Sequence, residues 1–60
     1  MIEYKIYRYS DMPIVKGIAY SYYDIIKQID KESVDVFDED LFIQLNNGEL
    51  YSLTQFYMEN

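Results

Sequence analysis

The sequence predicts an α+β domain: a small antiparallel sheet of about four strands with one amphipathic helix packed on it, in the order ββαββ. Three observations carry this. Apolar residues alternate with polar ones at period two near the N-terminus and again in the second half. Between those stretches the apolar spacing switches to the helical i, i+3, i+4, i+7 pattern. Pro13, Gly17 and the run Asn46-Asn47-Gly48 punctuate the boundaries. The 60 residues make one domain, 1–60.

Ile2, Tyr4 and Ile6 alternate with Glu3, Lys5 and Tyr7, which predicts a strand over 2–9. Residues 10–13 read as a turn, because Ser and Asp bond to nearby backbone and Pro13 has no N–H for a ladder. A second strand is expected over 14–20, with Gly17 as a bulge or bend. Ser21 then stands where an N-cap would, with Asp24 three residues on. Tyr22, Ile25, Ile26 and Ile29 fall on one helical face, and Asp24, Lys27, Gln28 and Lys31 on the other, so a helix is expected over 22–31. Its apolar face should meet Ile2, Tyr4, Ile6, Leu41, Ile43 and Leu45.

Val34 and Val36 alternate with Asp35, suggesting a short strand before the acidic run 37–40. Leu41, Ile43 and Leu45 predict another strand. Two turns compete after it. A two-residue Asn47-Gly48 turn pairs Leu45 with Leu50 but sets Ile43 opposite Ser52. A three-residue loop with Gly48 in the left-handed conformation pairs Ile43 with Tyr51 and Leu41 with Leu53. The second keeps the apolar face intact and is preferred. Residues 52–58 admit either an extended strand or a short helix capped by Ser52. An internal echo bears on this: 16–25 and 47–56 align without a gap, matching Gly17 to Gly48, Tyr20 to Tyr51, Ser21 to Ser52 and Ile25 to Phe56. Both serines read as caps, which favours a short terminal helix.

The composition excludes much chemistry. The chain has no Cys and no His, so thiolate nucleophiles, catalytic triads, disulfides and the commonest zinc ligands are absent. Asp38, Glu39 and Asp40 are the densest carboxylates, but so small a domain has little room to bury one and raise its pKa. The acidic run lacks the spacing, central glycine and terminal glutamate of a calcium loop. We expect no enzyme, no metal site and no cofactor. No apolar run approaches the ~20 residues that span a bilayer, and the first ten residues hold no apolar signal core, so the expectation is a cytoplasmic protein without membrane contact.

The charge is lopsided. Residues 1–31 carry Lys5, Arg8, Lys16, Lys27 and Lys31 against Glu3, Asp11, Asp24 and Asp30, a net of +1. Residues 32–60 carry Glu32, Asp35, Asp38, Glu39, Asp40, Glu49 and Glu59 with no base, a net of −7, which together give the −6 of the chain. Such a field repels nucleic-acid phosphates and attracts basic protein surfaces. The leading expectation is therefore a non-enzymatic binding protein that inhibits or regulates a partner through the partner's basic surface. Its contacts would be Glu32, Asp35, Asp38, Glu39 and Asp40.

In size, charge and tyrosine content the chain resembles the small acidic inhibitors of bacteriophages and mobile elements, including DNA-mimicking inhibitors of uracil-DNA glycosylase and anti-CRISPR proteins. That resemblance implies a nucleic-acid-binding site on the partner, with the acids of 32–40 as the mimic and Phe37 and Phe42 as its anchors.

Eight tyrosines are many for 60 residues. Tyr4, Tyr22 and Tyr51 fall on inner faces. Tyr7, Tyr9, Tyr23 and Tyr57 fall outside them, and exposed tyrosine is enriched at interfaces. A chain this short buries only ~60% of its unfolded surface, so a homodimer through Tyr7 and Tyr9 is expected. The alternative function is a small homo-oligomeric assembly module. A third is a weak single-stranded nucleic-acid binder stacking bases on Tyr7 and Tyr9 beside Lys5, which the scarcity of bases disfavours.

Overall fold

Ile2, Tyr4 and Ile6 form the inward row of β1 (Ile2–Tyr7) in the computed structural model, which describes every residue except Ser10 and Asn47. β2 (Pro13–Ala19) pairs antiparallel with β1, setting Ile2 opposite Ala19, Tyr4 opposite Gly17 and Ile6 opposite Val15. The register shifts between Ile6 and Tyr7, because Tyr7 pairs with Pro13 and leaves Ile14 over. The irregularity thus lies at Ile14, not at the expected Gly17. Gly17 serves a packing need instead: a Cβ there would come within 2.5 Å of the Tyr4 ring. Pro13 opens an edge strand, where a missing N–H costs no ladder bond.

α1 (Tyr22–Lys31) has the expected bounds. The Ser21 hydroxyl accepts the Asp24 N–H at 3.1 Å, and the Asp24 carboxylate accepts the Tyr20 N–H at 3.0 Å. Ile25, Ile26 and Ile29 are buried beneath it. The helix ends in a Schellman motif. Ser33 takes φ 59°, its N–H donates to the Asp30 carbonyl, and the Val34 N–H donates to the Ile29 carbonyl. Val34 packs on the core as the apolar residue that follows such a cap. This overturns the expected strand at Val34–Val36: the two valines are one residue of a helix stop and one buried residue of a turn, and their alternation is coincidental.

β3 (Phe42–Leu45) pairs with β1, Ile43 against Ile6 and Leu45 against Tyr4. β4 (Glu49–Ser52) pairs with β3 in the preferred register, Ile43 opposite Tyr51. Among the described residues of the loop the left-handed one is Asn46, at φ 50°, and not the expected Gly48. Asn46 is drawn there because it extends the ladder: its N–H donates to the Glu3 carbonyl at 2.9 Å and its Oδ1 accepts the Glu3 N–H at 3.1 Å. Asn47, and Ser10 of the expected 10–13 turn, lie outside the described residues.

α2 (Leu53–Glu59) settles the C-terminal ambiguity in favour of helix. The Ser52 hydroxyl accepts the Gln55 N–H at 3.1 Å, repeating the Ser21 cap. The four-stranded sheet runs β2-β1-β3-β4, so two hairpins lie side by side and each leads into a serine-capped helix. Both helices supply residues to a core of Tyr4, Ile6, Ala19, Ile25, Ile26, Ile29, Val36, Leu41, Ile43, Leu45, Leu53 and Phe56. The other face of the sheet carries neither helix. No helix among the described residues is long and apolar enough to cross a membrane.

Candidate functional site

The acidic segment after α1 is a folded loop, built by its own carboxylates. Asp35 Oδ1 accepts the Phe37 N–H at 3.1 Å, and Asp38 Oδ1 accepts the Asp40 N–H at 2.9 Å. These are Asx turns in series, with the backbone bonds Asp38 N–H to Asp35 O and Leu41 N–H to Asp38 O closing them. The Thr54 hydroxyl on α2 pins the loop by donating to the Val36 carbonyl at 2.7 Å.

Two of the acids are engaged by the basic half of the chain. Arg8 forms an ion pair with Asp38 at 2.6 Å, and the Tyr9 hydroxyl donates to Asp40. The Asp40 N–H, and next to it the Arg8 guanidinium, hold the Asp38 carboxyl below its ordinary range. Asp38 and Asp40 are half-buried, whereas Glu32, Asp35 and Glu39 stay exposed. Phe37 is exposed among these three, its ring edge-on to Tyr57 at 6.3 Å. The expected contact set thus divides: Glu32, Asp35, Glu39 and Phe37 point outward, while Asp38 and Asp40 are largely spent on folding. Long-range pairing with Arg8 and Tyr9 had no local signature; the Asp spacing that makes Asx turns did.

Phe42 does not join Phe37. Alternation along β3 turns it onto the bare sheet face, where it stands opposite Tyr7 of β1. That face also carries Ile14, Lys16 and Ile18 of β2, Lys5 of β1, Gln44 of β3 and Leu50 of β4. Ile14, Ile18 and Leu50 are each more than half exposed. An open groove of about 530 Å³ crosses it, lined by Tyr7, Arg8, Tyr9, Asp11, Phe42, Gln44 and Leu50. Tyr7 and Tyr9 therefore share one surface with Phe42. Lys5 stands directly opposite Lys16, a repulsive cross-strand pair. β3 and β4 present Phe42, Gln44, Leu50 and Ser52 to it and no acid, while Asp38 and Asp40 of the loop reach the end of its groove through Arg8 and Tyr9. The negative charge of the second half collects on the loop and the helix-bearing side.

A second recess was not foreseen. Tyr22 and Tyr51, expected in the core, are 38% and 36% exposed. Tyr22 opens α1 and Tyr51 lies on the edge strand β4, so each has the core on one side only. Both rings lean on Phe56 of α2, Tyr22 at 5.4 Å and 69° and Tyr51 at 6.4 Å and 38°. With Glu59 and Asn60 they enclose a recess of about 230 Å³. The Tyr51 hydroxyl donates to Glu49 at 2.6 Å, and this bond above all raises the Tyr51 pKa, with the charge of Glu59 adding to it. No local pattern signals this meeting, since Tyr22, Tyr51 and Phe56 come from three separate elements, α1, β4 and α2.

The chain matches no family model, no curated protein and no solved structure. Its function has to be argued from these three surfaces.

Proposed function

We propose that this protein is a non-enzymatic binding module that docks its acidic side on a basic protein surface, and so inhibits or regulates that partner. One observation carries the reading: residues 32–60 hold seven acids and no base, and five of the seven, Glu32, Asp35, Asp38, Glu39 and Asp40, lie in or next to one folded loop. Ordinary surfaces intersperse both signs. A one-sided field raises the rate of encounter with a basic partner and discriminates against acidic ones. Phe37 amid Glu32, Asp35 and Glu39 supplies what a charged patch alone lacks, an apolar anchor inside a polar rim. If the partner's basic site binds nucleic acid, the module competes with it, as a DNA mimic of the phage or anti-CRISPR kind would.

The test is a capture from bacterial lysate at low salt, elution by a salt step, and a titration of the purified partner. Affinity should fall as salt rises, and fall further in a Glu32→Gln, Glu39→Gln double variant and in Phe37→Ala. These positions are preferable to Asp38 and Asp40, whose loss would unfold the loop. Binding indifferent to both salt and the double variant would refute the reading.

The bare face supports a second reading, a homo-oligomeric assembly module. Leu50 lies open there beside Tyr7, Tyr9 and Phe42 in the groove, and Ile14 and Ile18 are exposed on β2, apolar surface of the kind that marks interaction sites. A mass that rises with concentration, and reverts in Tyr7→Ser, Tyr9→Ser, would favour it.

A further inference from the structure

We propose that the recess between Tyr22, Tyr51, Phe56 and Glu59 is a cation cage that receives the ammonium head of a lysine side chain from the partner. This rests on the reading of a basic partner and gives that partner a specific anchor.

Size comes first. At about 230 Å³ the recess falls below the ~300–1,000 Å³ of sites for drug-sized ligands. It suits a side-chain head group and not a cofactor.

The walls decide the chemistry. Of the five lining residues three are aromatic, one is the Glu59 carboxylate and one is Asn60. Aromatic rings attract a cation through the negative potential of their faces, and rings that surround it do so from several sides. Tyr22 and Phe56 stand at 69°, while Tyr51 is tilted by 38° from Phe56. Such walls enclose a compact, rounded head. A guanidinium is planar and stacks best between parallel rings, which this recess does not offer.

Electrostatics agrees with the occupant. Glu59 lines the recess and Glu49 holds the Tyr51 hydroxyl beside it. The last turn of α2, which supplies Glu59, carries no base. A partner lysine would meet a negative recess with an apolar lining, and alkylation of its nitrogen would improve the fit by adding apolar surface without removing the charge.

The experiment titrates the full chain with tetramethylammonium, with N-acetyl-lysine methylamide and its trimethylated form, with N-acetyl-arginine methylamide, and with tert-butanol as a neutral apolar control. The readout is the chemical shift of the Tyr22, Tyr51 and Phe56 ring protons. Saturable shifts are expected on the order of millimolar for these small probes, strongest for the trimethylated lysine and weakest for the neutral control. Tyr51→Leu and Glu59→Gln should each weaken binding about fivefold. Both positions are exposed, and retention of the wild-type thermal midpoint shows that the fold survives. Tyr51→Phe keeps the ring and should keep binding.

Equal shifts from tert-butanol would reduce the recess to a greasy dent and overturn the proposal. Stronger binding of the arginine probe would overturn the choice of ammonium. Shifts unchanged in Tyr51→Leu would place the binding elsewhere. Failure here leaves the proposed function standing if partner binding still depends on salt and on Glu32 and Glu39. Failure of that salt dependence, with the cage still binding its probe, sinks the function and not the site.

Discussion

The Tyr4 ring lies directly over Gly17 on the neighbouring strand, so close that a Cβ on Gly17 would fall 2.5 Å from the ring. The same tyrosine reaches the helix layer. Its hydroxyl donates to Gln28 Oε1 at 2.7 Å, while Gln28 Nε2 donates to the Ile18 carbonyl at 3.0 Å. One side chain thus locks β1, β2 and α1 together, and it can do so only where β2 lacks a side chain. Gly17→Ala should therefore destabilise the fold by about 1–3 kcal/mol, the range for overpacking a filled core. Chemical denaturation measures this. In a Tyr4→Leu background the same substitution should cost much less, and an undiminished cost would show that the Gly17 requirement has another origin.

Ser33 offers a change of opposite sign. It sits at φ 59° in the Schellman stop of α1, a conformation that glycine adopts without penalty and other L-residues do not. Ser33→Gly should stabilise the protein by about 0.5–1 kcal/mol, the relief of the left-handed strain less the added chain entropy of glycine. The midpoint of denaturation should rise with an unchanged slope. Ser33→Ala, which keeps the Cβ, should not reproduce the gain. A drop in stability for the glycine variant would mean that the hydroxyl, and not the backbone, decides this position.

These two sites mark where the sequence was readable and where it was not. The bounds of α1 followed from Tyr22, Ile25, Ile26 and Ile29 because helical spacing over two turns, opened by a serine cap, has no competing explanation. The β3–β4 register followed because a slip would turn Ile43 away from the core. Local pattern failed where a residue answers to a distant partner. Gly17 answers to Tyr4, Asn46 takes the left-handed position because Glu3 waits for its amide, and Val34 belongs to the helix stop. The candidate surfaces divide in the same way. Phe42 and Tyr7 could be placed on one face once pairing was known. The capture of Asp38 by Arg8, thirty residues away, and the meeting of Tyr22, Tyr51 and Phe56 are products of topology alone.

The Arg8–Asp38 pair should be visible in an acid titration. Asp38 is held below its ordinary 3.8 first by the Asp40 N–H and then by Arg8. A depressed carboxylate contributes stability that is present above the ordinary value and lost as pH falls through the folded one. Following the Asp38 carboxyl by NMR, Arg8→Gln should move its titration upward but leave it below 3.8, because the backbone donor remains. A shift all the way to the ordinary value would mean that the ion pair, and not the Asx turn, carries the effect.

At the alkaline end the tyrosines set the limit. Burial, with the charges of Glu32 and Asp24 behind it, pushes the Tyr4 phenol above its ordinary 10.0. Hydrogen bonds to carboxylates do the same for three others: Tyr9 through Asp40, Tyr51 through Glu49 and Tyr57 through Asp30. Each donor must keep its proton to keep its bond, since a phenolate facing a carboxylate repels it. A raised pKa contributes stability that is complete below the unfolded value and is lost as pH climbs through the folded one. The thermal midpoint should therefore hold up to about pH 10 and fall beyond it, in step with tyrosinate absorbance. Tyr57→Phe removes one of these donors, the bond to Asp30 at 3.1 Å, and should flatten the decline. Tyrosinate absorbance complete near the ordinary value, with no loss of midpoint, would show that these hydroxyls stand in water and anchor neither the acidic loop nor the recess.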